Sequence, residues 1–182
     1  KYDVHHFPYF HPYFPTLPYY INASDSLPSK IVVTIHDLIQ LIYPDKYKPG
    51  LKGQINLLKQ KSHLKNIDAV ITPSETSKKD VIRFLDVPNE KVTVIYEAPR
   101  DIFKKITNNQ ILSGVRKKYN LPSKFVLYVG DINYNKNIPG LVSACKLADK
   151  NLVICGKQAK EIVDSEQRIV NGGPRDLLRR MF

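Results

Sequence analysis

Phe125-Val-Leu-Tyr-Val-Gly-Asp-Ile-Asn-Tyr-Asn-Lys-Asn-Ile-Pro-Gly-Leu141 places a glycine and a lysine between an apolar strand and a helix. Phe125 to Val129 is a short β-branched and aromatic run, the pattern of a strand covered on both faces. Gly130 ends it, because a residue without Cβ lets the chain turn sharply and lets a ligand approach the backbone. Asn137 is placed to cap the next helix and Pro139 fits its first turn, where a missing N–H costs little. Leu141, Val142, Cys145 and Ala148 then recur at helical spacing, which predicts one buried face. A helix N-terminus beside Lys136 offers free N–H groups, a positive dipole end and a full charge to an anion. In open α/β sheets ligands bind at the carboxyl ends of strands, where this loop falls. On local pattern alone, an ordinary strand-to-helix connection with a surface lysine explains it equally well.

Working outward, the 182 residues are 42% hydrophobic and 25% charged with 8 glycines, a globular composition with enough chain for one good core or two small ones. No apolar run approaches the roughly 20 residues that span a bilayer, and the start lacks the basic-then-apolar pattern of a secretory signal, so the chain reads as soluble and cytoplasmic. Cys145 and Cys155 show no metal spacing and read as reduced, buried thiols. The formal charge of +11 suits nucleic acid, an anionic membrane surface or a phosphate-bearing substrate. The basic residues are spread through the chain with no arginine tract, zinc finger or aromatic RNA-binding signature, which argues against specific nucleic-acid binding.

Toward the N-terminus, prolines at 8, 12, 15 and 18 exclude a helix or central strand beyond the first few residues, so the aromatic opening reads as an ordered loop whose rings must pack on something. His5, His6 and His11 raise a metal reading, but no matched carboxylate or cysteine set accompanies them. Lys30 to Ile35 predicts a buried strand ended by His36-Asp37. Both are well placed to meet a ligand, although Asp37 as a turn cap and His36 as a structural residue is the plainer alternative. Leu51, Ile55, Leu58 and Ser62 share a helical face, which predicts an amphipathic surface helix. Ile67 to Thr72 is the next strand, Ser74 caps a helix carrying Val81, Ile82 and Leu85, and Lys91 to Tyr96 is a further strand. Strands separated by helices imply a parallel sheet. Between Glu97 and Pro122 this rhythm breaks, with a short basic helical segment over 111–119. A second series begins at Phe125 and continues through Asn151 to Gly156. Beyond it, 157–170 could form a helix, Gly172-Gly173-Pro174 breaks it, and 175–182 is a basic tail, so the second half reads as incomplete.

Taken in order, Val33-Thr-Ile-His-Asp-Leu38, Ile71-Thr-Pro-Ser-Glu-Thr-Ser-Lys78 with Asp80, Lys91-Val-Thr-Val-Ile-Tyr96, Phe125-Val-Leu-Tyr-Val-Gly-Asp131 with Lys136-Asn137, and Leu152-Val-Ile-Cys-Gly156 resemble group 1 (family 4) retaining glycosyltransferases of the GT-B fold, most closely mannosyltransferase-type members. The resemblance runs from about Asp3 to Gly156. It implies an α/β chain of two Rossmann-like domains, both incomplete here: 1–98 as the later part of an acceptor domain, 99–122 as linker, and 123–182 as the start of a nucleotide-sugar domain. It also implies a cleft in which His36 faces the donor sugar near the reacting carbon as the catalytic residue, and which Asp37, Ser74 and Glu75 line. Gly130, Lys136 and Asn137 would hold the donor diphosphate, with Lys136 offsetting charge on the leaving phosphate. No metal or other cofactor is implied, because the lysine and backbone stabilise the developing anion. The partners implied are a nucleotide-sugar donor and a glycan or lipid-linked acceptor, with peripheral contact to the anionic inner face of the membrane.

Three departures from the family pattern bear on activity. Asp131 stands where many members carry an arginine directly after the loop glycine. Members carry two glutamates at a fixed spacing in the second domain, and the positions at that spacing after Glu161 and Glu166 are Ile169 and Pro174. The glycine-rich first loop and early strands of the first domain do not precede Asp3. Since the members of a catalytic constellation act as a unit, the expectation is a glycosyltransferase fragment, transferring plausibly mannose in its intact form and inactive by itself. The alternative is a non-catalytic module of the same fold that binds sugar nucleotides.

Overall fold

The computed structural model describes residues 2–17 and 30–159. From residue 160 onward the expected helix over 157–170, the glutamate positions and the basic tail lie outside the described residues. The chain divides into two compact units, 1–100 and 101–182.

In the first unit β1 (Val4–Phe7), β2 (Lys30–Thr34), β3 (Ala69–Thr72) and β4 (Val92–Val94) form a parallel sheet in that order. A one-turn helix α1 (Ile39–Ile42) and the longer α2 (Gly50–Lys65) connect β2 to β3, and α3 (Glu75–Leu85) connects β3 to β4. The core gathers Ile31, Val33, Ile35, Leu38, Leu64, Ile67, Val70, Val81, Leu85 and Val92. Asp68 registers the sheet's entry side: Oδ2 accepts from the Ile31 amide at 2.8 Å and Oδ1 from Lys30 Nζ at 2.8 Å. Lys30 above all, then the Ile31 amide, holds that carboxyl below the usual carboxylate range.

The helix α2 packs opposite to its apolar periodicity. Its buried residues are Gly53, Gln60, His63 and Leu64, while Leu51, Ile55 and Leu58 are 76%, 45% and 69% exposed. The reason is what it covers. Its inner side meets two surfaces: Leu57 and Leu64 pack on the core of the sheet, while Gly53, Asn56 and Gln60 lie on the proline-rich loop, whose backbone requires polar partners rather than methyl groups. Gln60 Nε2 lies 2.6 Å from the Phe14 carbonyl, 2.7 Å from Thr16 Oγ1 and 3.2 Å from the His11 carbonyl. Asn56 Nδ2 donates to the Tyr13 carbonyl at 2.9 Å. A Cβ on Gly53 would stand 2.7 Å from Pro49 Cβ, so the start of α2 has no room for a side chain there, whereas the 3.4 Å to Tyr13 Cβ of the loop is an ordinary contact.

In the second unit α4 (Asn109–Lys118) is capped by Asn108, whose side chain accepts from the Gln110 and Ile111 amides. Parallel strands β5 (Val126–Val129) and β6 (Leu152–Cys155) flank α5 (Ile138–Leu147). Ile138, Cys145, Leu152, Ile154 and Ala159 form a small core, with Tyr128, Leu141 and Val142 packed against it. Of the helix spacing read from the sequence, Leu141, Val142 and Cys145 face this core, while Ala148 is exposed at the C-cap of α5. The two-sided burial expected of β5 is not: Leu127 and Val129 are 56% and 68% exposed. Among the described residues β5 has a single strand neighbour and a single covering helix, so only its Tyr128 side meets apolar partners. Both units thus carry parallel strands joined through helices, a partial Rossmann-like architecture of the GT-B type.

Candidate functional site

The expected site residues fall into two groups, one in each unit. In the first unit they collect beyond the carboxyl ends of β2, β3 and β4. The ladder continues past the strands through Ile35 N to Ile71 O and Ile95 N to Thr72 O, both 2.9 Å, which brings His36, Ser74 and Glu97 to one end of the sheet. Ser74 caps α3, its Oγ accepting from the Ser77 amide at 3.1 Å. Ser77 Oγ in turn donates to the His36 carbonyl at 2.8 Å, tying the β2 exit to the start of α3. Glu75 is exposed in the first turn of α3, where a carboxylate suits the helix dipole. Asp37 is also exposed, and its Oδ1 accepts from the Ile39 amide at 3.2 Å, the turn-capping role that the plainer alternative foresaw.

The His36 ring is half exposed and its Nδ1 lies 3.1 Å from Glu97 Oε1. A carboxylate only accepts, so Nδ1 carries a proton toward Glu97. With both side chains solvated, the pair adds little to stability and acts chiefly to orient the ring. Glu97 was not singled out from the sequence. Its signal was positional, since it follows β4 much as His36 follows β2.

In the second unit Gly130 leaves β5 with φ +148°, a conformation that favours glycine, and its amide donates to the Cys155 carbonyl at 3.0 Å. The loop is held by the Tyr128 hydroxyl donating to the Asp131 carbonyl and the Ile132 amide donating to Gln158 Oε1 at 3.1 Å. Lys136 closes a one-turn 3-10 segment and is exposed. Asn137 follows at φ 48° and caps α5, its side chain accepting from the Gly140 amide at 3.3 Å. That cap changes the anion site expected at α5. Pro139 has no N–H and Asn137 occupies that of Gly140, so only the Ile138 amide of the first turn is left to an outside anion, together with the dipole and Lys136. The Asp131 side chain is exposed on the same loop as Lys136 and opposes its charge.

His5 packs edge-to-face on Tyr2, and His6 Nε2 pairs with Thr34 Oγ1 at 2.8 Å. Among the described residues no group of three or more His, Cys, Asp or Glu side chains is placed to hold a metal ion, and no helix is long and apolar enough to cross a membrane. Cys145 and Cys155 are free thiols.

Each unit by itself has parallel strands joined through helices, with candidate residues gathered at strand exits, the partial Rossmann-like architecture of the GT-B class. The profile of Glycosyltransferase Family 4 matches residues 1–98, more than half of the chain, and the chain belongs to that family. Among curated relatives, three Escherichia coli proteins, each described as serotype-specific mannosyltransferase WbdA, match over 130 residues, two at 27% identity and one at 26%. The match covers 71% of this chain and 16% of each relative's length.

Proposed function

We propose that this chain takes part in retaining transfer of mannose from a nucleotide-sugar donor to a glycan or lipid-linked acceptor, at the cytoplasmic face of a membrane. The observation that carries the reading is the His36–Glu97 pair at the carboxyl end of a parallel sheet in a family 4 chain. The mannosyltransferase description of the relatives supports the choice of sugar. In this reading His36 Nε2 contacts the donor sugar, with Asp37, Ser74 and Glu75 around the substrate. In the second unit Gly130 admits the donor diphosphate, and Lys136, with the start of α5 behind Asn137, balances the charge that grows on the leaving phosphate. No step calls for a metal ion.

Titrating the protein with GDP tests the phosphate half. Lys136→Ala is expected to weaken binding about tenfold, as loss of one charge-assisted contact does; unchanged affinity removes the role given to Lys136. By itself the chain is expected to transfer no sugar; in a longer protein that carries this segment together with the missing early strands and glutamate pair, His36→Ala is expected to cost about 10²-fold in turnover from GDP-mannose with GDP affinity retained. Asp131, in the place of a cation, favours a second reading in which the chain binds sugar nucleotides without transferring them. GDP binding with no transfer to any acceptor even in that longer protein selects it.

The membrane contact rests on α2. Its exposed Leu51–Ile55–Leu58 stripe is flanked by Lys52 and Lys59, and the helix contains no acidic residue, the pattern of a surface helix lying on anionic lipid. Leu51→Ser with Leu58→Ser is expected to lower partitioning onto phosphatidylglycerol vesicles about tenfold or more, since each leucine loses its burial in lipid. Equal flotation of variant and parent would show that this face does not meet the membrane.

A further inference from the structure

Beside the His36 end of the first unit lies an open pocket of about 480 Å³, walled by the aromatic loop, the α1 turn and the opening of α2. This is within the size range of small-molecule sites. Four features describe what it would hold. Phe14 is 63% exposed, its ring set 4.5 Å from that of His11, so an apolar platform stands open to solvent. Gln40 lines the pocket, and its Oε1 is shielded from solvent without a hydrogen-bond partner, an acceptor that a turn of the amide would offer to a ligand hydroxyl. Lys48 and Lys52, both exposed, lie on the lining, which includes no carboxylate. The start of α2 between them has Pro49 at its cap with no side-chain hydrogen bond and no acid in its first turn. The positive end of its dipole therefore adds to the two ammonium groups.

An aromatic platform beside hydroxyl-pairing amides suits a pyranose, whose axial C–H face is apolar while its rim is polar. Two lysines at an uncapped helix start suit a phosphate. We propose that this pocket is the subsite for a phosphate-linked sugar unit of the acceptor, its ring on Phe14, its hydroxyls toward Gln40, and its phosphate at Lys48, Lys52 and the start of α2. The assignment deepens the transferase reading and rests on it for the word acceptor. Asp37 joins the two places: it lies close enough to His11 to act on it, although burial dominates and holds that imidazole below its ordinary value. The apolar stripe of α2 begins at Leu51, next to Lys52, so a lipid chain attached to the phosphate would have an apolar surface beside the pocket.

Titrations followed by NMR at the Lys52 and Gly53 amides, with mannose 1-phosphate, mannose and inorganic phosphate as separate probes, test this. Mannose 1-phosphate is expected to bind more tightly than either part alone. Lys48→Ala with Lys52→Ala is expected to weaken it about tenfold or more, and Phe14→Ala several-fold; all three side chains are exposed, so folding is spared. A polyprenyl phosphomannose in detergent micelles distinguishes the sources: tighter binding that depends on Leu51 indicates a lipid-linked acceptor, and equal binding a soluble one. Inorganic phosphate binding as well as mannose 1-phosphate, or a lysine double variant that binds like the parent, would overturn the proposal. GDP titration of the same variants keeps the two readings apart. Lost pocket binding with intact GDP binding overturns the subsite alone, and mannose 1-phosphate shifts that vanish in Lys136→Ala assign that ligand to the second unit.

Discussion

Gly156→Ala is expected to destabilise the second unit by about 3 kcal/mol or more, because the added methyl has no room. The parallel register pairs Val129 with Cys155, so Gly130 and Gly156 lie side by side just past the strand ends. A Cβ on Gly156 would stand 2.1 Å from the Gly130 carbonyl oxygen and 3.2 Å from its carbon. Both are backbone atoms and cannot swing aside as a side chain would. Gly130 already sits at φ +148° with its amide bonded to Cys155, so relief would break the ladder where the proposed diphosphate loop begins. Among the described residues the core beneath is small, five buried residues with a few partners, and a loss of that size is a large share of what they supply. Hydrogen exchange at the Val153 and Ile154 amides reads the effect directly. Gly114→Ala in α4 is the control: nothing lies within 4 Å of its Cβ, so replacing a helical glycine there is expected to be neutral or slightly stabilising. Unchanged protection in the Gly156 variant would show that the strand exits are not closed in this way.

The second large effect is expected at Gln60. Only 1% exposed, it brings its two N–H donors within reach of the Phe14 and His11 carbonyls and Thr16 Oγ1, and through them holds the aromatic loop on α2. Gln60→Ala leaves the Phe14 and His11 carbonyls without this donor, while Thr16 Oγ1 keeps the His11 amide, and is expected to cost about 3 kcal/mol. Gln60→Glu is the sharper test. It keeps size and shape but replaces the donor by an acceptor facing carbonyl oxygens, so a cost at least as large is expected. Urea unfolding measures both, and a Glu variant as stable as the parent would exclude the donor role. Because Gln60 does not line the pocket, weakened mannose 1-phosphate binding in either variant would report the loop's position rather than a lost contact.

Much of the fold could be read from local chemistry. Ser74 and Asn137 cap their helices because a short side-chain oxygen beside an apolar-periodic run meets the first free amides. Gly130 turns at the end of β5 because only glycine enters that backbone region easily. The strands at Lys30, Ile67, Lys91, Phe125 and Leu152 announced themselves as short β-branched runs, and helices between them required parallel pairing. The site was legible in part. His36, Asp37, Ser74 and Glu75 reach one sheet end as their positions after strands imply. Glu97 was hidden because nothing local links it to a histidine on a strand two places away.

By itself, then, the sequence determined the order of strands, helices and caps, since each is chosen by a few neighbouring residues competing for backbone conformation and hydrogen bonds. Tertiary structure alone decided which side of α2 is covered, which carboxylate orients His36, and that an aromatic loop and two lysines enclose a pocket. Apolar periodicity forecasts burial only where the partner surface is apolar. Against the carbonyls of the proline-rich loop the buried side had to be Gln60, Asn56 and Gly53, and Leu51, Ile55 and Leu58 were turned outward.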